Sequence, residues 1–482
     1  MNRRYNPTFL DADIPAEFRH AFDLQHAAYR RNRNPDLHER RADLRKIHRM
    51  MVEHKDALVA TVNRDYGCRS GFETRLMEIL QVQEAALDAI KRLKGWMKPQ
   101  KRHLDITQYP LANAWTFPQP VGVVGIVVPW NFPIAMVFQP LICAFAAGNR
   151  AMIKMSENSN HLAALLKEIA PRYFDEDKLS FFEDGNGRGP AFTRLPFDHL
   201  FFTGSSQTGR AVMANAARNL TPVTLELGGK SPCVIAPDYP LRTAAERIMW
   251  VKMLNAGQIC VNVDYLFVPE GKVDDFVVEA QRVACARYPD LMNGDYTAII
   301  DQRQYDRIQA LLVDAVAKGA RAINLCPGQK GDRARRIMPP HAVVGVTDDM
   351  AIMQQEIFGP LLPIRTYTSE AEVVEYIGSR PRPLALYLYT NVGRLQDFYL
   401  NNTISGGVTL NDGLLHAGLH SLPFGGTGNS GMGHYHGLEG FLTFSKLRPV
   451  FKQGRWRLVD LFMPPYAGKA SRILDFIMRL KS

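Results

Sequence analysis

From Pro35 to about Lys98 the apolar residues return every three or four positions, as in Leu58, Val62, Leu76, Ile79, Leu80, Ala85, Leu87 and Ile90, with many charges between them. That period gathers the apolar side chains on one stripe and predicts amphipathic helices. After Pro110 the pattern changes. Short apolar runs at 121–128, 151–155, 179–183 and 198–204 alternate with helical patterns over about 134–147, from about 159 and from about 207. Strands and helices alternating at this spacing predict a doubly wound, mostly parallel α/β sheet. A second series opens near Pro222, with runs at 231–236 and 265–269, helices over about 240–254, 272–285 and 301–318, and further runs at 384–390 and 406–412. The change of series near residue 226 is the expected division between two α/β units, and no internal repeat or low-complexity linker interrupts them.

Two stretches raise the question of a membrane. The apolar run from Val121 to Phe138 has about the length of a span, but Pro129, Asn131 and Pro133 break it, so a strand, a sharp turn and a buried helix are expected. At the end of the chain, Ile473, Phe476, Ile477 and Leu480 follow helical spacing while Arg472, Asp475 and Arg479 lie elsewhere. This tail is too short to span. It predicts a helix packed on its own protein or on a neighbouring subunit, with adsorption to a membrane surface as the alternative.

A chain of 482 residues exceeds what one core supports, about 250–300 residues, and two or three domains are expected. With 46% apolar and 22% charged residues, disordered and fibrous classes fall away. The six cysteines lie far apart with no CxxC pair, which argues against a zinc ribbon or a secreted disulfide framework and for a reducing, cytoplasmic setting. No metal site is expected. The basic N-terminus has no apolar segment behind it and does not read as a secretory signal. The net charge of +10 sits at the ends: residues 1–50 carry +4 and residues 446–482 carry +7, leaving the middle at −1. A near-neutral body with basic ends lacks the basic stripe, interleaved with aromatics, that nucleic acid requires.

The local chemistry is sparse but ordered. In GQIC, Cys260 follows a glycine-containing turn that lets a substrate approach a thiol closely, although a lone cysteine is more often a small core hydrophobe. ELGGK places Glu226 at the end of a strand, where α/β active sites form; taken alone it reads as a cap or surface carboxylate. PWNFP sets Asn131 in a proline-bracketed turn after the first strand, either as an Asx turn or as a fixed amide facing a developing oxyanion. FTGSSQTGR, with Gly204, Ser205 and Gly209, opens a helix whose amides can meet a phosphate, though such a turn is usually structural. IKMSE supplies Lys154 and Glu157 at another strand end, and an acidic residue there can hold ribose hydroxyls.

Taken in order, PWNFP, IKMSE, FTGSSQTG, ELGGK, GQIC, QEIFGP and LPFGGTGNSGMG resemble the NAD(P)-dependent aldehyde dehydrogenase superfamily from about residue 20 to residue 450. The stretch HSLPFGGTGNSGMGHYHGLEGFLTFS looks like its class 3 branch, and within that the coniferyl aldehyde dehydrogenase group. The resemblance implies two doubly wound Rossmann-type α/β domains with a small β oligomerisation element. Residues 1–225 would bind cofactor, 226–437 would be catalytic, and 438–482 would hold an oligomerisation segment and the basic tail, with 104–118 joining the oligomerisation element. It further implies Cys260 as nucleophile, Glu226 as general base and Asn131 as the side-chain half of an oxyanion hole. Lys154 and Glu157 would hold the adenine-side ribose, Gly204, Ser205 and Gly209 would lie by the pyrophosphate, and Glu356 and Phe358 would position the nicotinamide ribose. The expected cofactor is NAD, with NADP possible, and the expected assembly a homodimer.

The departures are few. Met155 stands where many relatives have Pro, Ile259 where Thr is common, and Ser206 and Gln207 vary the phosphate turn. His416 and His420 read as loop-packing histidines, with substrate contact as the alternative. The implied activity is oxidation of a small-molecule aldehyde, hydrophobic and aromatic like coniferyl aldehyde, to its acid. Trp250, Met253 and Leu254 are candidate pocket walls that suit an aromatic ring or an alkyl chain. A medium- or long-chain aliphatic aldehyde dehydrogenase is the same-class alternative. A thiol esterase or hydrolase is the alternative from another class, because Cys260, Glu226 and Asn131 suffice to make and hydrolyse an acyl-enzyme.

Overall fold

The structure, a computed structural model, describes residues 14–106, 108–185, 187–464 and 466–481. The segment Ala16–Trp96 is helical, as its periodicity requires. Helix Leu37–Glu53 starts at a capping box in which Asp36 and Glu39 satisfy each other's backbone N–H groups, and helix Lys55–Tyr66 stops at Gly67, whose φ of +75° suits glycine. A six-residue π segment, Arg75–Leu80, leads into helix Gln81–Trp96.

The alternating series that follows forms a six-stranded sheet. Its spatial order is Gly431–Met432, Val223–Leu227, His199–Gly204, Val123–Val127, Arg150–Lys154 and Leu179–Phe182, parallel except for the first, antiparallel strand. Val123–Val127 is buried throughout, as a strand covered on both faces must be. The second series forms a seven-stranded sheet ordered Arg321–Asn324, His341–Val344, Leu361–Tyr367, Tyr265–Pro269, Pro232–Ile235, Ala385–Tyr389 and Gly407–Leu410. Only its Arg321–Asn324 edge is antiparallel. The run expected to cross no membrane is strand Val123–Val127 followed by helix Pro133–Ala147, which is buried on nearly every side.

The third sheet is antiparallel and joins distant segments: Gln100–Lys101, Asn113–Pro120 and Ser445–Lys452, with Ser445 opposite Pro120 and Lys452 opposite Asn113. Strand Val223–Leu227 runs through the expected division at 225/226, so the chain leaves the first sheet over Gly228–Ser231 and returns to it at Gly431. The tail forms helix Lys469–Lys481, in which Ile473 and Ile477 are half-buried and Phe476 is 63% exposed, so its stripe is only partly packed on its own chain; a neighbouring subunit is the other cover expected for it. The side chain of Leu480 lies outside the described residues. Among the described residues no helix is long and apolar enough to cross a membrane, and no cluster of three His, Cys, Asp or Glu could hold a metal.

Candidate active site

Helix Leu241–Met253 ends in a turn where Asn255 (φ +49°), Ala256 (+49°) and Gly257 (+75°) are successively left-handed. Such a run costs of order 1–2 kcal/mol for each non-glycine residue and persists only where neighbours hold it. They do so here. The Asn255 N–H donates to Glu73 Oε2 at 3.0 Å, and its side-chain amide donates to the Asn131 and Gln258 carbonyls at 3.1 and 3.0 Å. The Gln258 amide donates to the carbonyls of Asn255 and Ala298 and accepts from the Ile300 N–H. At Gly257 a Cβ would lie 2.3 Å from the Gly359 carbonyl oxygen, so no other residue fits. This turn delivers Cys260, which keeps partial access to solvent.

Asn131 closes the site from the other sheet. It is 4% exposed, and its Nδ2 donates to the Gln258 carbonyl at 3.3 Å. Its own carbonyl accepts from the Tyr66 hydroxyl (3.0 Å) and from Arg69 Nη1 (2.7 Å) as well as from Asn255. Arg69 Nη2 pairs with Glu78 at 3.1 Å, both side chains fully buried, and the second Glu78 oxygen accepts the N–H groups of Ile134 and Ala135 at the start of helix Pro133–Ala147. A carboxylate at a helix N-terminus is favourably placed.

Glu226 lies in the strand Val223–Leu227, is 3% exposed, and neither of its carboxyl oxygens has a partner. Burial pushes its pKa well above the ordinary carboxylate value. The Cys260 thiol is pushed up to about 12, first by burial and then by Glu356 and Glu226, against the lowering effect of the Val261 and Cys260 N–H groups. The thiol therefore rests protonated, and any nucleophilic role begins with the loss of that proton. Glu356 has its own pKa raised to about 8, chiefly by burial and then by Asp264, and its Oε1 has no partner.

A cleft of about 230 Å³ lies between Glu356 and the start of helix Ser206–Ala217, lined also by Arg210, Gly228, Lys230 and Arg382; Cys260 and Glu226 are not in its lining. Ser205 caps helix Ser206–Ala217 by accepting from the Thr208 N–H, so the first helical amides face this end of the cleft. A Cβ on Gly228 would come within 2.1 Å of Glu356 Oε2. The partnerless Glu356 oxygen, the helix N-terminus and the flanking cations fit a dinucleotide, which Glu356 and the 206–217 helix would hold. Gly204 and Gly209 serve packing directly: a Cβ would meet the Phe202 ring at 2.6 Å and Leu227 at 2.7 Å. Phe358 (φ +49°) stands edge-on to Trp130 at 5.4 Å, next to Asn131.

Lys154 and Glu157 sit together at one strand end. Lys154 Nζ is 2.5 Å from Asp184, whereas Glu157 is exposed and accepts from Ser156 Oγ. His416 packs: its Nδ1 meets the Thr409 hydroxyl at 2.7 Å and its ring stacks near Phe424. Met253 and Leu254 are buried in the core, which leaves half-buried Trp250 as the one of the three with surface to offer a ligand. Sequence reasoning passed over Tyr66, Arg69, Glu73 and Glu78, because in a helical pattern rich in charges nothing local marks which charges turn inward.

Two mostly parallel sheets meeting at a half-buried cysteine, a partnerless buried carboxyl and a cleft at a helix N-terminus define an NAD(P)-dependent oxidoreductase architecture. The model of the aldehyde dehydrogenase family matches residues 11–450, and the chain belongs to that family, whose members use NAD or NADP. It is 45% identical to a probable coniferyl aldehyde dehydrogenase of Pseudomonas aeruginosa over 94% of both chains, and 42% identical to the coniferyl aldehyde dehydrogenase of a Pseudomonas species over 95% of both. Among solved structures it is similar to substrate-bound AldH of Staphylococcus aureus (TM-score 0.89, 34% identity, 95% of this chain and 99% of that one). It is also similar to a Mycobacterium tuberculosis aldehyde dehydrogenase complexed with NAD+ (TM-score 0.81, 26% identity, 90% of both chains).

Proposed function

We propose that this enzyme oxidises an aromatic aldehyde such as coniferyl aldehyde to the carboxylic acid, with Cys260 as nucleophile, Asn131 as oxyanion donor and Glu226 as general base. The observation that carries the reading is the convergence of a partnerless buried Glu226 and the Asn131 amide on the turn that presents Cys260. The likeness to coniferyl aldehyde dehydrogenases supports the substrate class.

The Cys260 thiol, which keeps partial access to solvent, releases its proton there; its sulfur bonds to the aldehyde carbon as the C=O π bond opens, and the carbonyl oxygen becomes an oxyanion. Asn131 Nδ2 turns from the Gln258 carbonyl to that oxygen, joined by the Cys260 N–H; each such donor contributes about 3–4 kcal/mol in comparable sites. The bound oxidised cofactor supplies the acceptor for the hydride that leaves the same carbon. Glu226 then takes a proton from water as that water attacks the thioester; the C–S bond breaks, the acid departs and the thiol is restored. Exposed Leu447 and Phe451 on the edge strand Ser445–Lys452 support assembly as a homodimer through the third sheet, and the six free cysteines support a reducing, cytoplasmic setting.

The test is growth of NADH absorbance with wild type and Cys260→Ala, supplied with coniferyl aldehyde or decanal. Reduction by wild type alone, faster with coniferyl aldehyde, is the expected result. Full activity in Cys260→Ala overturns the covalent mechanism, and a preference for decanal overturns the substrate class.

A further inference from the structure

We propose that Asp184 directs this enzyme toward NAD and away from NADP by occupying Lys154, the cation a 2′-phosphate would need. The inference rests on the reading of the Arg150–Lys154 strand end as the adenine-ribose site.

The placement follows from the sheet. Lys154 ends its strand opposite Phe182, and the chain beyond Phe182 carries Asp184 back over it. Asp184 Oδ2 lies 2.5 Å from Lys154 Nζ, with only 6% of the lysine side chain and 11% of the aspartate exposed. Its other oxygen accepts the Arg188 N–H at 3.0 Å, so the carboxylate is held from both sides. The Arg188 guanidinium is itself paired with Glu17. Lys167 pairs with Glu183, the neighbour of Asp184, so Lys154, Arg188 and Lys167 are all committed to carboxylates, and Glu157 adds a further exposed negative charge at the same strand end.

A ribose hydroxyl is compatible with that arrangement, since it can donate to a carboxylate. A 2′-phosphate is not. It brings about −1.5 to −2 charge to a patch that already sums to −1, and the Lys154 charge that would meet it is already neutralised by a nearly buried Asp184. Lys154 alone would suit either cofactor; its pairing with Asp184 is what separates them.

The experiment measures dissociation constants of NAD and NADP by quenching of tryptophan fluorescence, with kcat/KM alongside, for wild type, Asp184→Asn, Asp184→Ala and Asp184→Asn combined with Lys154→Met. Asp184→Asn keeps the side-chain shape and can still accept from the Arg188 N–H, which protects the fold. The ratio of the NADP constant to the NAD constant should fall at least about tenfold in both single variants and return to the wild-type value in the combined one. An unchanged ratio in both single variants overturns the inference, as does a gain that survives Lys154→Met or a wild type that binds the two cofactors equally. A wild type that binds neither removes the underlying site reading and the inference with it.

Discussion

Arg69 Nη1 stands 2.7 Å from the carbonyl oxygen of Asn131, so a buried guanidinium fixes the backbone of the residue whose amide is aimed at the Cys260 turn. The same guanidinium neutralises Glu78, which in turn holds the first amides of the following helix. Removing one member of a buried pair leaves an uncompensated charge and costs about 3–5 kcal/mol. Arg69→Met is therefore expected to lose stability on that scale and to lower kcat, with Arg69→Lys recovering part of both. Chemical denaturation with parallel kinetics checks this, and an unchanged unfolding midpoint in Arg69→Met counts against it.

Asn131→Ala should lower kcat by about 10²–10³ through loss of one oxyanion donor. Because the Asn131 carbonyl, rather than its side chain, anchors the Arg69 and Tyr66 bonds, the substituted protein keeps that network. A steady-state comparison against the unfolding midpoint separates the two effects: a large loss of stability with little loss of kcat would show the amide to be structural.

Glu226 makes the pH dependence specific. Its raised pKa means that the base form appears only as pH rises above the ordinary carboxylate value of 4.5, so turnover limited by thioester hydrolysis climbs with pH toward the alkaline side. In Glu226→Gln that climb should flatten and turnover fall by about 10²–10⁴, while a first burst of NADH survives; stopped-flow absorbance reads both. The stability sign runs the other way. The neutral carboxyl's contribution is complete below 4.5 and is lost as pH rises through the raised folded-state value, so Glu226→Gln gains stability relative to wild type in alkali.

Gly228→Ala tests the cofactor cleft. The added methyl would fall within 2.1 Å of Glu356 Oε2, and because that oxygen ends a flexible side chain, Glu356 must swing away rather than the sheet distort. Cofactor affinity is expected to drop about tenfold, the value of one lost hydrogen bond, with the fold intact. Fluorescence titration shows it; unaltered affinity would place Glu356 outside cofactor binding.

Most of the scaffold was legible from local pattern. The strands Val123–Val127, Arg150–Lys154 and His199–Gly204 and the helices between them follow apolar periods contained in a few residues, and the motifs around Asn131, Glu226 and Cys260 can be read because each is contiguous. The strands Arg321–Asn324, His341–Val344 and Leu361–Tyr367 carry no such mark: the first two are only four residues long, and Pro363 interrupts the third. What periodicity cannot carry is distance across the chain. That Gly431 pairs beside Glu226, that Lys154 is spent on Asp184, and that Arg69 and Glu78 turn inward while Arg75 stays exposed were decided only by tertiary packing. The physical reason is that a charge is worth burying only where its partner arrives from elsewhere in the fold, and the sequence around either residue alone holds no record of that meeting.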